Sequence, residues 1–131
     1  YAADVPGGPA TLRIGAAEPL LDQWLAEHGQ TQWALISAAN PWSSRCEQDA
    51  NRAADAALRA LLVQRGLPVC EAVNWPEDRA SGWTEPALLC AGLSPEEAVR
   101  IGAAFGQNAV LVGGGEGTAE LLWCVRPVSI P

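Results

Sequence analysis

From Trp33 onward, short apolar runs alternate with two stretches of helical period. That order constrains the fold more than any other feature. Trp33–Ala39 is apolar except for one serine and reads as a central strand that ends at Asn40 and Pro41. From about Arg45 to Arg65, Ala50, Ala54, Ala57, Leu58, Leu61 and Leu62 recur at helical spacing. Ser43 or Ser44 is placed to cap that helix, and Gly66 to stop it. Pro68–Val73 and Pro86–Ala91 read as strands around a polar loop that holds Trp75 and Trp83. Ser94, Pro95, Glu96 and Glu97 supply a cap, a proline at the first helical position and a carboxylate at the third. The helix they start turns Ala98, Ile101, Gly102 and Phe105 to the core and ends near Gly106. Ala109–Val112 and Thr118–Val125 read as strands joined by the glycine-rich turn 113–117.

Ahead of this unit, Tyr1–Asp4 and Ala10–Gly15 flank a Pro/Gly turn and read as an opening hairpin. Glu18 and Pro19 start a helix with Leu20, Leu21, Trp24 and Leu25 on its apolar face, and Gly29 stops it. The expected fold class is α/β, of the α+β sandwich kind. An N-terminal hairpin and helix are added to a ferredoxin-like β-α-β-β-α-β core, with a mixed, mostly antiparallel sheet and helices packed on it. The alternative is a three-layer α/β fold with a mainly parallel sheet.

At 131 residues, 49% hydrophobic and 18% charged, residues 1–131 suit a single globular domain. No apolar run reaches the roughly 20 residues of a membrane helix. The net charge of -7, with basic residues scattered from Arg13 to Arg126, argues against nucleic acid or an anionic membrane as partner. A basic protein partner fits that charge. The residues given contain no targeting segment, so a cytoplasmic location is expected; Tyr1 is not an initiator Met, and the expectation covers only these residues.

No pair among Cys46, Cys70, Cys90 and Cys124 has the spacing of a zinc site. The last three fall in apolar runs and read as small buried hydrophobes, so reduced thiols are expected. His28, the only histidine, sits in a helix last turn and reads as structural. The glycine run 113–117 lacks the Lys-Ser/Thr of a phosphate loop and leads into a strand. No metal and no cofactor is expected.

Strand directions give the functional reading. If the first core strand runs up, its helix starts at the top, the 74–85 connection is also at the top, and the second helix returns there at Gln107 and Asn108. The candidate ligand-binding residues are therefore Asn40, Ser43, Asn51, Trp83, Glu85 and Gln107. Each has a structural alternative. Asn40 to Ser43 can be a capped strand-to-helix turn. Asn51 is unusual inside a helix by propensity alone. Glu85 can pair with Arg79 or Arg52. Gln107 can tie a loop through backbone hydrogen bonds, and Trp75 and Trp83 can be packing lids. Cys46, in a helix first turn beside Arg45, is the one candidate nucleophile, but no base is expected near it.

The same segments carry a family resemblance. Leu12, Arg13, Ile14 and Gly15, then Asn40, Pro41, Trp42 and Ser43 with Asn51, resemble a bacterial family of uncharacterised proteins, domain of unknown function 3293. Trp83, Thr84, Glu85 and Pro86 with Gly92 continue the match, as do Phe105, Gly106, Gln107, Asn108 and Ala109. Family members often carry Glu, Arg and Ser where this chain has Ala50, Ala54 and Ala87; a chemistry needing those side chains would be lost here. The resemblance implies a bacterial, cytoplasmic protein and no particular activity.

Three functions are expected to compete. One is a domain binding a small polar molecule at the top-end cluster. Another is an acidic protein-interaction or regulatory module with no catalysis. The last is an enzyme using Glu85 or Cys46.

Overall fold

Local chemistry sets the helix ends. The Glu18 carboxylate accepts from the Leu20 N–H at 3.2 Å, and Pro19 follows it at the first turn of α1 (Pro19–Glu27). Gly29, at φ 65°, takes the left-handed conformation that lets the chain leave the helix. The Ser94 hydroxyl accepts from the Glu97 N–H and donates to the Glu97 carboxylate, which starts α3 (Pro95–Ala104). The middle helix, α2, spans Gln48–Gln64 and begins three residues later than the sequence suggests. Glu47 is extended, at φ -63° and ψ 152°, and no side chain caps it. The expected caps Ser43 and Ser44 lie outside the described residues. The computed structural model describes residues 2–5, 8–11, 15, 18–39, 47–74, 85–114 and 119–124.

Seven strands form one sheet: β1 (Ala2–Val5), β2 (Gly8–Thr11), β3 (Gln32–Ile36), β4 (Val69–Asn74), β5 (Glu85–Ala91), β6 (Ala109–Gly114) and β7 (Glu120–Trp123). Their spatial order is β2-β1-β4-β5-β3-β6-β7, and every described pairing is antiparallel. The central run β4-β5-β3-β6 has the ferredoxin-like arrangement expected from the element order. β3 and β4 do run the same way, but β5 lies between them. Likewise β5 and β6 run the same way with β3 between them, so neither helical crossover makes a parallel contact and the mainly parallel alternative falls. The opening hairpin extends the sheet beyond β4, and β7 extends it beyond β6.

Alternation along the strands divides the core between the two faces of the sheet. Trp33, Leu35, Ala87, Leu89 and Leu111 pack with Leu21, Trp24 and Leu25 of α1. Ala34, Ile36, Leu88, Cys90 and Val110 pack with Leu58 and Leu62 of α2 and with Ala98 and Ile101 of α3. The helices thus cover both faces. Burial of leucines such as Leu25, Leu58 and Leu89 stabilises the fold by roughly 1.5–3 kcal/mol each. On the α1 face, Gly113 leaves room for the Trp33 ring: a Cβ there would lie 2.6 Å from the indole.

Candidate functional site

The register fixes which chain ends are neighbours. Ile36 pairs with Leu88, Leu35 with Leu111, and Asn74 with Glu85. The C-terminal ends of β3 and β4 and the N-terminal ends of β5 and β6 therefore lie at one edge of the molecule. This is the convergence that the strand directions lead one to expect.

Two side-chain bonds tie that edge together. Ser37 continues the Trp33, Leu35 alternation just past β3. Its hydroxyl donates to the Pro86 carbonyl at 2.9 Å, joining segments 49 residues apart, and accepts from the Ala39 N–H at 3.1 Å. Gln107 follows the turn that ends α3. Its Nε2 donates to the Ala39 carbonyl at 3.0 Å across 68 residues of sequence, and to the Phe105 carbonyl at 3.4 Å. Gln107 thus makes the backbone tie that was its structural alternative, and in making it brings the third segment to the first.

Between these struts lies a recess of about 80 Å³, lined by Leu35, Ser37, Glu85, Gln107, Ala109, Val110, Leu111 and Leu121. Glu85, the first residue of β5, falls by alternation on the α1 face with Ala87 and Leu89 and is the one ionisable residue among those lining the recess. The recess is far smaller than the roughly 300–1,000 Å³ of a drug-sized pocket. It suits one polar group and not a whole drug-sized molecule.

Of the residues expected from sequence, Glu85 and Gln107 line the recess together. Asn40, Ser43 and Trp83 lie outside the described residues, as do Cys46, Trp75 and Arg79. Asn51 sits near the start of α2, which packs on the other face of the sheet, and it is not among the recess-lining residues. Asn108 is exposed, and its carbonyl accepts from the Cys124 N–H at 2.8 Å. Ser37 was missed by the sequence reading. Its signal was a single hydroxyl closing an otherwise apolar strand.

A second feature lies on the α2 face. Asp55, Glu71, Ala72, Val73, Pro86, Ala87 and Leu88 line a cleft of about 280 Å³. Burial pushes the Asp55 carboxyl above its ordinary range, the nearby Arg59 guanidinium opposes this, and Glu71 adds to it. Asp55 Oδ1 is closed off from solvent without a hydrogen-bond partner. Arg59 is held instead by Glu71, at 3.0 Å.

Burial shapes two of the described thiols. Burial pushes Cys90 up to about 12, against the pull of Arg65, and burial also raises Cys124. Cys70, Cys90 and Cys124 are not half-cystines. His28 closes α1, with its ring edge-on to Trp24 at 5.7 Å. Among the described residues no group of three His, Cys, Asp or Glu side chains could hold a metal ion, and no helix is long and apolar enough to cross a membrane.

A family model described as "Protein of unknown function (DUF3293)" matches residues 36–110, a span that contains Ser37, Glu85 and Gln107. No curated protein and no solved structure matches the chain.

Proposed function

The chain belongs to the family described as Protein of unknown function (DUF3293), and from that premise we propose that it is a ligand-binding domain whose recess at Ser37, Glu85 and Gln107 holds one polar group of a small molecule. One observation carries this reading. Three segments far apart in sequence are tied into a single rim by Ser37 and Gln107, around a space that Glu85 also lines. A carboxylate with apolar walls and fixed polar neighbours is the usual make-up of a small-molecule subsite. Asn40, Ser43 and Trp83 belong to the segments that adjoin this edge in sequence and are the residues proposed to extend the site; Asn51 is proposed with them from the start of α2.

Thermal-shift screening with nucleotides, amino acids and sugars tests it. A stabilising compound whose effect is lost in Glu85→Ala supports the site. If no compound class moves the melting temperature, the reading falls.

The charge of -7 favours a second reading, an acidic module that recruits a basic protein. Capture of such a partner that survives Gln107→Ala but is lost on reversal of surface acids would select it. Either way the protein is proposed to be bacterial and cytoplasmic. Support for this comes from the family resemblance and from thiols placed in the sheet core.

A further inference from the structure

We infer that Trp123 is the platform of the binding site: the small molecule whose polar group enters the recess carries a planar ring that stacks on this indole. This rests on the recess being a binding site and names the class of molecule that the site takes.

The strand register carries the inference. Trp123, the last residue of β7, pairs with Ala109, and Leu121 pairs with Leu111. Ala109, Leu111 and Leu121 all line the recess. Successive side chains of a strand point to opposite faces, so Trp123 falls by alternation on the face of Leu121. Directly opposed residues of an antiparallel pair have Cα atoms only about 4.5–5.5 Å apart. The indole therefore adjoins the recess lining at Ala109, whose side chain is a single methyl group.

The sheet leaves this indole uncovered. Trp24 and Trp33 are buried in the core, whereas Trp123 is 64% exposed. The cause is its position. β7 is the outermost strand, and α1, the helix packed on this face, lies against β1 and β2 at the other side of the sheet. A molecule that seats a polar group in so small a recess rests its remaining atoms on the surface beside it. Among the described residues the other large exposed hydrophobic side chains are Val63 and Val73, and they belong to the clefts beside α2. Trp123 is thus the apolar surface next to the recess. An indole offers a flat π surface, and aromatic pairs in offset-stacked or edge-to-face arrangements gain beyond the area they bury. A planar ring uses that gain, and a saturated ring of the same size does not.

The test is a titration of the whole chain followed by NMR of the Trp123 indole N–H, the Leu121 methyl groups and the Gln107 side-chain NH₂. Benzyl alcohol is the probe, with cyclohexylmethanol as the saturated control of equal size and tetramethylammonium chloride as the cationic one. Ionic strength is held constant. The saturated ring is more apolar than the planar one, so burial alone would favour it. Stacking should reverse that order, and benzyl alcohol should bind about two- to tenfold more tightly than cyclohexylmethanol. Trp123→Phe keeps a ring and should keep the preference, while Trp123→Leu should abolish it. Trp123 is largely exposed, so both variants should stay folded.

Equal or tighter binding of cyclohexylmethanol, or a preference that survives Trp123→Leu, overturns the inference. So does a Trp123 signal that shifts while the Gln107 signals stay still, because the ring then binds away from the recess. Tetramethylammonium moving the signals in place of benzyl alcohol overturns it too, since an indole face also attracts cations. No response to any probe has the same consequence. In each case the recess itself stands or falls separately, with the wider screen and Glu85→Ala.

Discussion

Removing the Ser37 hydroxyl should unfasten β3 from β5 at the end where the candidate site lies. Ser37→Ala deletes two hydrogen bonds at once: the 2.9 Å donation to Pro86 and the 3.1 Å acceptance from Ala39. The cost of leaving a buried partner unsatisfied is about 1–3 kcal/mol each. Both partners here are only part-buried, so the low end applies, and the two together give about 2 kcal/mol. Loss of a single oxygen leaves little cavity to add to that. An unfolding entropy of about 2.1 cal/mol/K per residue over 131 residues turns 2 kcal/mol into a melting shift of about 7 °C. Urea denaturation should show a lower midpoint with an unchanged slope, because the surface exposed on unfolding is the same. The Ala39 amide should lose its protection from hydrogen exchange in parallel. A loss below about 0.5 kcal/mol, or an Ala39 amide still protected to the wild-type degree, would refute the view that this hydroxyl fastens the rim.

Further outcomes follow from the core and the ionisable groups. Gly113→Ala should destabilise by about 2 kcal/mol and change Trp33 fluorescence, because the added methyl meets the indole at 2.6 Å; a neutral effect would mean the ring can step aside. Asp55→Asn should stabilise at neutral pH by about 0.5–1 kcal/mol, and denaturation across pH checks it. The sign follows from the raised folded-state value. The folded chain holds the Asp55 proton more tightly than the unfolded one. Native Asp55 therefore lowers stability progressively as pH rises through the folded value, and the mutant's gain should vanish below the ordinary carboxylate range. Glu97 works the other way. Hydrogen bonds from Ser94 lead in lowering its value, with Arg65 adding, so its stabilisation holds at neutral pH and is lost as pH falls through that lowered value; Glu97→Gln should flatten that acid limb. The Cys90 thiol, pushed up to about 12, should resist labelling at pH 8 until the protein unfolds, and rapid labelling of the native protein would contradict its burial.

Much of the fold was legible because several local signals agreed. Ser94, Pro95 and Glu97 start α3 as their side chains dictate, and the order of apolar runs led to a sheet with the ferredoxin-like core order. The start of α2 was not legible. Ser43, Ser44 and Glu47 all stand before the apolar face, and propensity alone cannot choose among them. The division of helices between the two faces was also hidden, since alternation says that a strand has two faces but not which helix covers which.

Of the site, Glu85 and Gln107 could be brought together from strand direction alone. The part played by Ser37 could not. A hydroxyl at the end of an apolar strand reads as incidental until the register shows Pro86 beside it. Asp55 escaped notice for a similar reason. Its position in α2 looks like an ordinary polar helix residue, and only the approach of β4 and β5 closes Oδ1 off from water.

Crystals grown with the best stabilising compound from the thermal screen would test the binding site most directly. The account predicts difference density inside the recess, with a polar atom of the compound within hydrogen-bond distance of Glu85 and the Ser37–Pro86 and Gln107–Ala39 bonds intact. A compound seated elsewhere, with the space between Ser37, Glu85 and Gln107 unchanged, would contradict it.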